Sequence, residues 1–194
     1  MSEMAQGDVI EKLMKWFLVL DKNNDGFVTR EELVAFYKQH NLDEGSIDHF
    51  IKRFDTSDDQ KISLEEYCRG LGLTKGEVLQ EKKEVLQQQE RESKGEKLEF
   101  EGVEVLNTSM TWAKQEAIVK KFKELVGDGE PNESQMDNIV EQLQQFLNNE
   151  YGRLWQCIIL TGSYWMKFSH EPFMSMQFRY RGKMVVCVWR TNRA

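Results

Sequence analysis

The window Asp21-Lys22-Asn23-Asn24-Asp25-Gly26-Phe27-Val28-Thr29-Arg30-Glu31-Glu32 constrains this chain more than any other stretch. Oxygen-bearing side chains stand at its first, third, fifth and ninth positions, a glycine at the sixth and a glutamate at the twelfth. A hard divalent cation such as calcium takes about six to eight oxygens, and a loop of this length can wrap them around one point. Asp21, Asn23 and Asp25 would supply one side-chain oxygen each, and Phe27 its backbone carbonyl. Thr29 would act directly or through water, and Glu32 would offer both carboxylate oxygens. Gly26 relieves the sharp bend, because a residue without Cβ tolerates positive φ. A polar turn between two helices would also favour Asn, Asp and Gly. Such a turn requires neither the glutamate in twelfth place nor the apolar Val28 in eighth. The expected cofactor is a calcium ion (Ca2+).

A second copy follows 34 residues on, the kind of internal repeat that decides an architecture. The window from Asp55 to Glu66 presents Asp55, Ser57, Asp59, Ser63 and Glu66 at the ligand positions, with the backbone carbonyl of Lys61 in seventh place. Its sixth position is Gln60 instead of glycine, and a non-glycine residue at positive φ costs roughly 1 kcal/mol or more. This loop either binds calcium weakly or is kept for packing against the first. Ile62 matches Val28, which suits a short β-bridge between the loops. Apolar residues at helical spacing flank both windows: Val9, Leu13, Phe17 and Leu20 with Trp16 before the first, and Leu33, Phe36 and Tyr37 after it. Ile47, Phe50, Ile51 and Phe54 lead into the second, with Ser46 as a candidate cap, and Leu64, Tyr67, Cys68 and Leu71 leave it.

Residues 74–97 turn rich in Glu, Gln and Lys, a composition that favours helix. Leu71, Val78 and Val85 are seven apart, as are Leu79 and Leu86, which is too short a run for a coiled coil. A solvated linker helix and a short dimer-supporting helix both remain open. From Phe100 onward, Val103, Val105 and Leu106 form a strand pattern. Thr111 could cap a helix carrying Ala117, Ile118, Phe122 and Leu125, which stops at Gly127. Asn132 or Ser134 opens a second helix with Met136, Ile139, Val140, Leu143, Phe146 and Leu147 on one side. Leu154 to Leu160 looks like a strand covered on both faces, and Tyr164 to His170 alternates imperfectly. Met174, Met176, Phe178 and Tyr180 alternate with polar residues at a period of two. Arg181-Gly182 fits a tight turn, and Met184 to Trp189 returns as a strand. The expected fold is α+β: an all-helical cation-binding pair at 1–73, a helical linker at 74–100, and a β-α-α-β-β-β-β domain at 101–194.

The two windows with their flanking helices resemble an EF-hand pair over residues 8–73. The later element order, with Glu150-Tyr151, Trp155-Gln156-Cys157-Ile158 and His170-Glu171, resembles the dynein light chain family. That resemblance implies a dimer that exchanges a strand, and a partner peptide bound as an added strand along a sheet edge. Carried over by position, the peptide site would comprise Asn107 and Tyr164, Trp165, Met166, Lys167, Phe168, Ser169 and His170, with the second helix beside them. Gln156 stands where the family often has a histidine at the dimer interface, and Asp137 where a lysine lines the groove. The combination of both halves resembles the tegumental calcium-binding proteins of parasitic flatworms. It implies a calcium-binding regulatory or adaptor protein with a protein or peptide partner, dynein-related partners among them. The implied location is cytoplasmic, in association with the tegument or cytoskeleton.

The chain carries a net charge of −7, and residues 1–73 hold 9 basic against 15 acidic side chains, so the acidity belongs to the cation-binding half. No basic stripe suggests nucleic acid. No apolar run of about 18 residues suggests a bilayer span, and no signal-like segment begins the chain, so an intracellular, soluble protein is expected. Cys68, Cys157 and Cys187 have no paired spacing and apolar neighbours, as in reduced, mostly buried thiols. His40, His49 and His170 are too scattered for zinc. An enzyme would have to use Cys157 or Ser163 with His170. No spacing orients that histidine and no glycine-rich elbow presents that serine, so catalysis is not expected. A plain calcium buffer, with a second domain that only dimerises, is the alternative to the adaptor.

Overall fold

Val28 and Ile62, the eighth residues of the two windows, face one another across an antiparallel ribbon of β1 (Phe27–Thr29) and β2 (Lys61–Ser63). The bridge expected from their apolar character is therefore present. The computed structural model describes residues 17, 20, 21, 23, 25–127, 129, 133–171 and 173–191. The expected helix positions Val9, Leu13 and Trp16, and Asn132 as a helix opener, lie outside them, as does the side chain of Leu71. The chain divides into two compact units, with the change between Lys83 and Glu84.

In the first unit, α1 (Arg30–Gln39) and α3 (Leu64–Leu71) begin with matching capping boxes. Thr29 and Ser63 accept from the backbone of Glu32 and Glu66, whose carboxylates in turn hold the cap N–H groups. Each twelfth-position glutamate thus satisfies backbone donors that a helix start leaves open. Between them, α2 (Ile47–Phe54) follows a 3-10 turn at Glu44–Ser46, where Asp43 accepts from Gly45 and Ser46 makes no side-chain cap. The core gathers Val28, Leu33, Ile47, Phe54, Ile62 and Tyr67. Tyr67 lies between Phe17 and Phe54, with ring centroids 4.6 and 4.9 Å away. Gly70 permits this closeness, since a Cβ there would come within 2.6 Å of the Phe54 ring.

The helix expected after residue 74 forms as α4 (Lys75–Ser93), started by Thr74 and Glu77 in a further capping pair. It is not the evenly solvated linker of one reading. Val78, Glu81 and Glu84 are buried, whereas Leu79 and Leu86 are 47% and 55% exposed. The difference arises because charged residues on this helix find partners: in the second unit, Glu84 takes the Lys114 ammonium at 2.9 Å and the Thr111 hydroxyl. Thr111 is consequently no side-chain cap for the helix it precedes.

The second unit is an antiparallel four-stranded sheet in the order β3 (Val103–Thr108), β5 (Ser175–Tyr180), β6 (Met184–Arg190), β4 (Trp155–Thr161). Between β3 and β4 come α5 (Trp112–Val126) and α6 (Glu133–Tyr151). Ile118, Phe122, Ile139 and Leu143 of these helices pack on Met176, Phe178, Val186 and Val188. The Met174–Tyr180 alternation is therefore a core face, as its period implies. Two expectations are corrected. β4 is an edge strand with Ile158 38% exposed, so it is not covered on both faces. Tyr164–His170 forms no strand, which leaves three strands after the helices among the described residues instead of four. A strand needs a neighbouring backbone to exchange hydrogen bonds with. This segment instead makes side-chain contacts on the sheet face away from the helices. Phe168 stacks on Trp189 at 4.6 Å, and Gln177 donates to the Tyr164 hydroxyl at 2.8 Å.

Candidate calcium loops and a groove

The first window combines local order with an unsatisfied carboxylate. Asp25 Oδ1 accepts from the Phe27 N–H at 2.8 Å, Asn23 Oδ1 from the Asp25 N–H at 3.0 Å, and the Asn23 amide donates to Asp25 Oδ2 at 2.8 Å. Gly26 takes φ +85°, the conformation its missing Cβ allows. Asp21 is buried at 4% exposure. Its Oδ1 has no hydrogen-bond partner among the described residues, while Oδ2 lies 3.5 Å from the Lys82 ammonium. Buried polar atoms are almost always hydrogen-bonded, so this carboxylate oxygen has the capacity to take a cation. Glu32 accepts from Thr29 N and Oγ1 at 2.9 and 3.0 Å.

The second window closes on itself. Glu66 Oε1 accepts from Thr56 N and Oγ1 and from Ser57 N, and Oε2 accepts from Ser63 N and Oγ. Burial alone would raise its pKa, but the Ser63 and Ser57 donors outweigh that and hold it at about 2. Asp55 Oδ1 accepts from the Asp58 and Asp59 N–H groups, and Oδ2 from that of Gln60. Gln60 sits at φ +66° and Asp58 at φ +60°, both strained for side-chain-bearing residues.

Among the described residues no three acidic, His or Cys side chains converge on one point. Glu32 is turned to Thr29 and Asp55 is wrapped by its own loop. The donor chemistry nonetheless fits calcium, because every proposed ligand is a hard oxygen and one of them, the buried Asp21, has an oxygen with no hydrogen-bond partner among the described residues. Asp21, Asn23, Asp25, Phe27, Thr29 and Glu32 would hold the ion in the first loop. Asp55, Ser57, Asp59, Lys61, Ser63 and Glu66 are the matching set in the second.

In the second unit a groove of about 610 Å³ brings together Asn107, Tyr164, Trp165, Met166, Lys167, Phe168 and His170. Ser175, Met176 and Gln177 of β5 complete its lining. Ser169 is exposed and is not among the lining residues. His170 Nδ1 donates to the Glu171 carbonyl at 2.8 Å, which leaves Nε2 to accept from Ser175 Oγ at 3.2 Å. The buried Glu171–Arg190 ion pair anchors the end of this segment, and Arg190 also donates to the Tyr151 carbonyl. The nucleophile–base pairs weighed from sequence gain no support. Ser163 is exposed, and burial, with Cys187 nearby, pushes the Cys157 thiol up to about 12, so it stays protonated at neutral pH.

Two family models match this chain: an EF-hand domain pair over residues 10–71 and dynein light chain type 1 over residues 102–191. A Schistosoma mansoni tegument antigen is 40% identical over 182 residues, covering 94% of this chain and 94% of that protein. The chain belongs to the tegument antigen family. Antigen Sm21.7 of the same species is 35% identical over 182 residues, covering 94% of this chain and 96% of its own length. The dynein light chain-like domain of Fasciola hepatica calcium binding protein FhCaBP2 is 41% identical, spanning 50% of this chain and 100% of that one, with a TM-score of 0.46. As a tegument antigen family member, the chain is an EF-hand protein of the calcium-binding kind with a dynein-light-chain-like domain. Among the described residues no helix is long and apolar enough to cross a membrane. Sequence reasoning about this tegument antigen relative missed Lys82 beside Asp21, and Ser175 and Gln177 in the groove. Nothing in the spacing marks Lys82, which stands 61 positions from its partner.

Proposed function

We propose that this protein is a calcium-responsive adaptor: the EF-hand pair takes calcium, foremost in its first loop, and the second unit holds an extended peptide in the groove. The partner would be a protein segment, with dynein-related peptides the first to try. The protein would act without catalysis, in the cytoplasm in association with the tegument or cytoskeleton, in microtubule-based processes, and a homodimer through the second unit fits the same scheme. The observation that carries the peptide half is Trp165, which is 91% exposed at the groove. A large aromatic side chain left in water beside a lined groove is a typical anchor for a binding partner. The segment Tyr164–Ser169 lies outside any ladder, so its backbone is available to pair with an added strand.

The test is a titration of the full chain with a synthetic dynein-derived peptide, followed by tryptophan fluorescence and amide exchange. Trp165→Ala should weaken binding by about tenfold or more without changing thermal stability, as loss of an aromatic anchor does. New exchange protection should be confined to the groove. Equal affinity of the variant, or protection elsewhere, contradicts this function for the groove.

A further inference from the structure

We propose that Lys82 is a built-in competitor for calcium at the first loop, its ammonium compensating the Asp21 carboxylate until the metal displaces it. This rests on the calcium role of that loop and adds a residue far outside the twelve-residue window.

Asp21 is buried, where an uncompensated carboxylate is costly. The compensation comes from Lys82, whose side chain is 19% exposed against 3% for that of Asp21. Their 3.5 Å separation is long for a charge-assisted hydrogen bond, which runs about 2.7–2.9 Å. The other oxygen, Oδ1, has no hydrogen-bond partner among the described residues. Lys82 therefore offsets the charge without saturating the carboxylate, which is the condition a displaceable counter-ion must meet.

The ammonium is delivered by structure. Val78 lies one turn earlier on the same helical face and is 1% exposed, so α4 is seated in the first unit at this point. The adjacent Lys83 is exposed and makes a natural control. Among the described residues the second loop has no such device. Asp55 is held by N–H groups of its own loop, and Lys75, at the start of α4, pairs with Glu65, which is not a proposed ligand. A divalent ion entering the first loop thus exchanges for one ammonium, which lowers the apparent affinity of that loop and frees Lys82 on binding.

The experiment is calorimetric calcium titration of the full chain, comparing wild type with Lys82→Met, Lys82→Arg and Lys83→Met. Lys82→Met should tighten the first-loop step by about three- to tenfold, the range a partly screened ion pair is worth. Lys82→Arg keeps the cation, and Lys83→Met removes one charge elsewhere, so both should stay near wild type. A second readout uses the unaltered protein: acetylation of Lys82, mapped by mass spectrometry, should accelerate when calcium saturates the first loop. Wild-type binding that is unchanged in Lys82→Met, or Lys82 acetylation indifferent to calcium, overturns the competitor and leaves the loop assignment standing. An equal gain in Lys83→Met also overturns it, because net charge alone would then suffice. A wild-type chain that releases no heat with calcium overturns both the competitor and the loop assignment.

Discussion

The two calcium windows share a spacing but satisfy their carboxylates in opposite ways. In the second, Glu66 and Asp55 are saturated by donors from within their own loop. In the first, Asp21 Oδ1 has no hydrogen-bond partner among the described residues, and a lysine from α4 supplies the counter-charge. The second loop has thus replaced much of what a cation would supply, and it does so over a backbone strained at Asp58 and Gln60. The first has an unstrained Gly26 and, among the described residues, a buried carboxylate with one oxygen left without a hydrogen bond. Ligand spacing alone makes the loops look alike; hydrogen-bond accounting separates them.

The strongest break of that comparison is Glu32→Gln, which removes a charge and the two-oxygen ligand of the first loop. It should weaken the tighter calcium step by well over about 100-fold, beyond the loss typical of outer-shell changes. Calorimetry reads this directly, and an unchanged first step would remove Glu32 from the site. The next effect runs the other way round. Without calcium, Glu66→Ala should cost about 2–3 kcal/mol in urea denaturation, because it strands the donors of Thr56, Ser57 and Ser63. Glu32→Ala should cost only about 1 kcal/mol, the worth of one helix cap. Equal losses would mean the second loop is not self-closed.

Gln60→Gly sharpens the comparison further. Relief of the left-handed strain should stabilise the calcium-free protein by about 0.5–1 kcal/mol and tighten only the weaker calcium step. A gain confined to stability would show that Ser57, and not backbone strain, limits the second loop. The smallest effect concerns Cys68, buried in the first unit, whose thiol burial holds above the ordinary 9.0. A raised pKa means less thiolate at pH 8 than a free thiol has, so labelling should be slow and should climb as pH rises. If calcium opens this unit as a sensor does, Cys68 labelling should speed up a few-fold while that of buried Cys187 stays constant. No acceleration would favour the buffer.

Much of this was legible from residues alone. Apolar Val28 and Ile62 in eighth place foretold the ribbon, and the Met174–Tyr180 alternation foretold a core strand. The glutamates at the twelfth positions did double duty as helix caps, which the Thr29-to-Glu32 and Ser63-to-Glu66 spacing already contained. Tyr164–His170 misled because alternation reports two different faces, not the presence of a neighbouring strand. The exposure of Ile158 was hidden because an apolar run reads the same at a sheet edge as at its centre. Lys82 and Glu84 were invisible because their partners, Asp21 and Lys114, are remote in sequence. Composition gave α4 its helix but not its buried face.

One resolved titration tests whether the first loop is the stronger calcium site. The backbone amides of Gly26 and Gln60, each in sixth place, can be followed separately by NMR as calcium is added to the full chain. The Gly26 resonance should complete its shift first, and Gln60 should respond only at higher calcium. A Gln60 shift that saturates before Gly26 moves would contradict it.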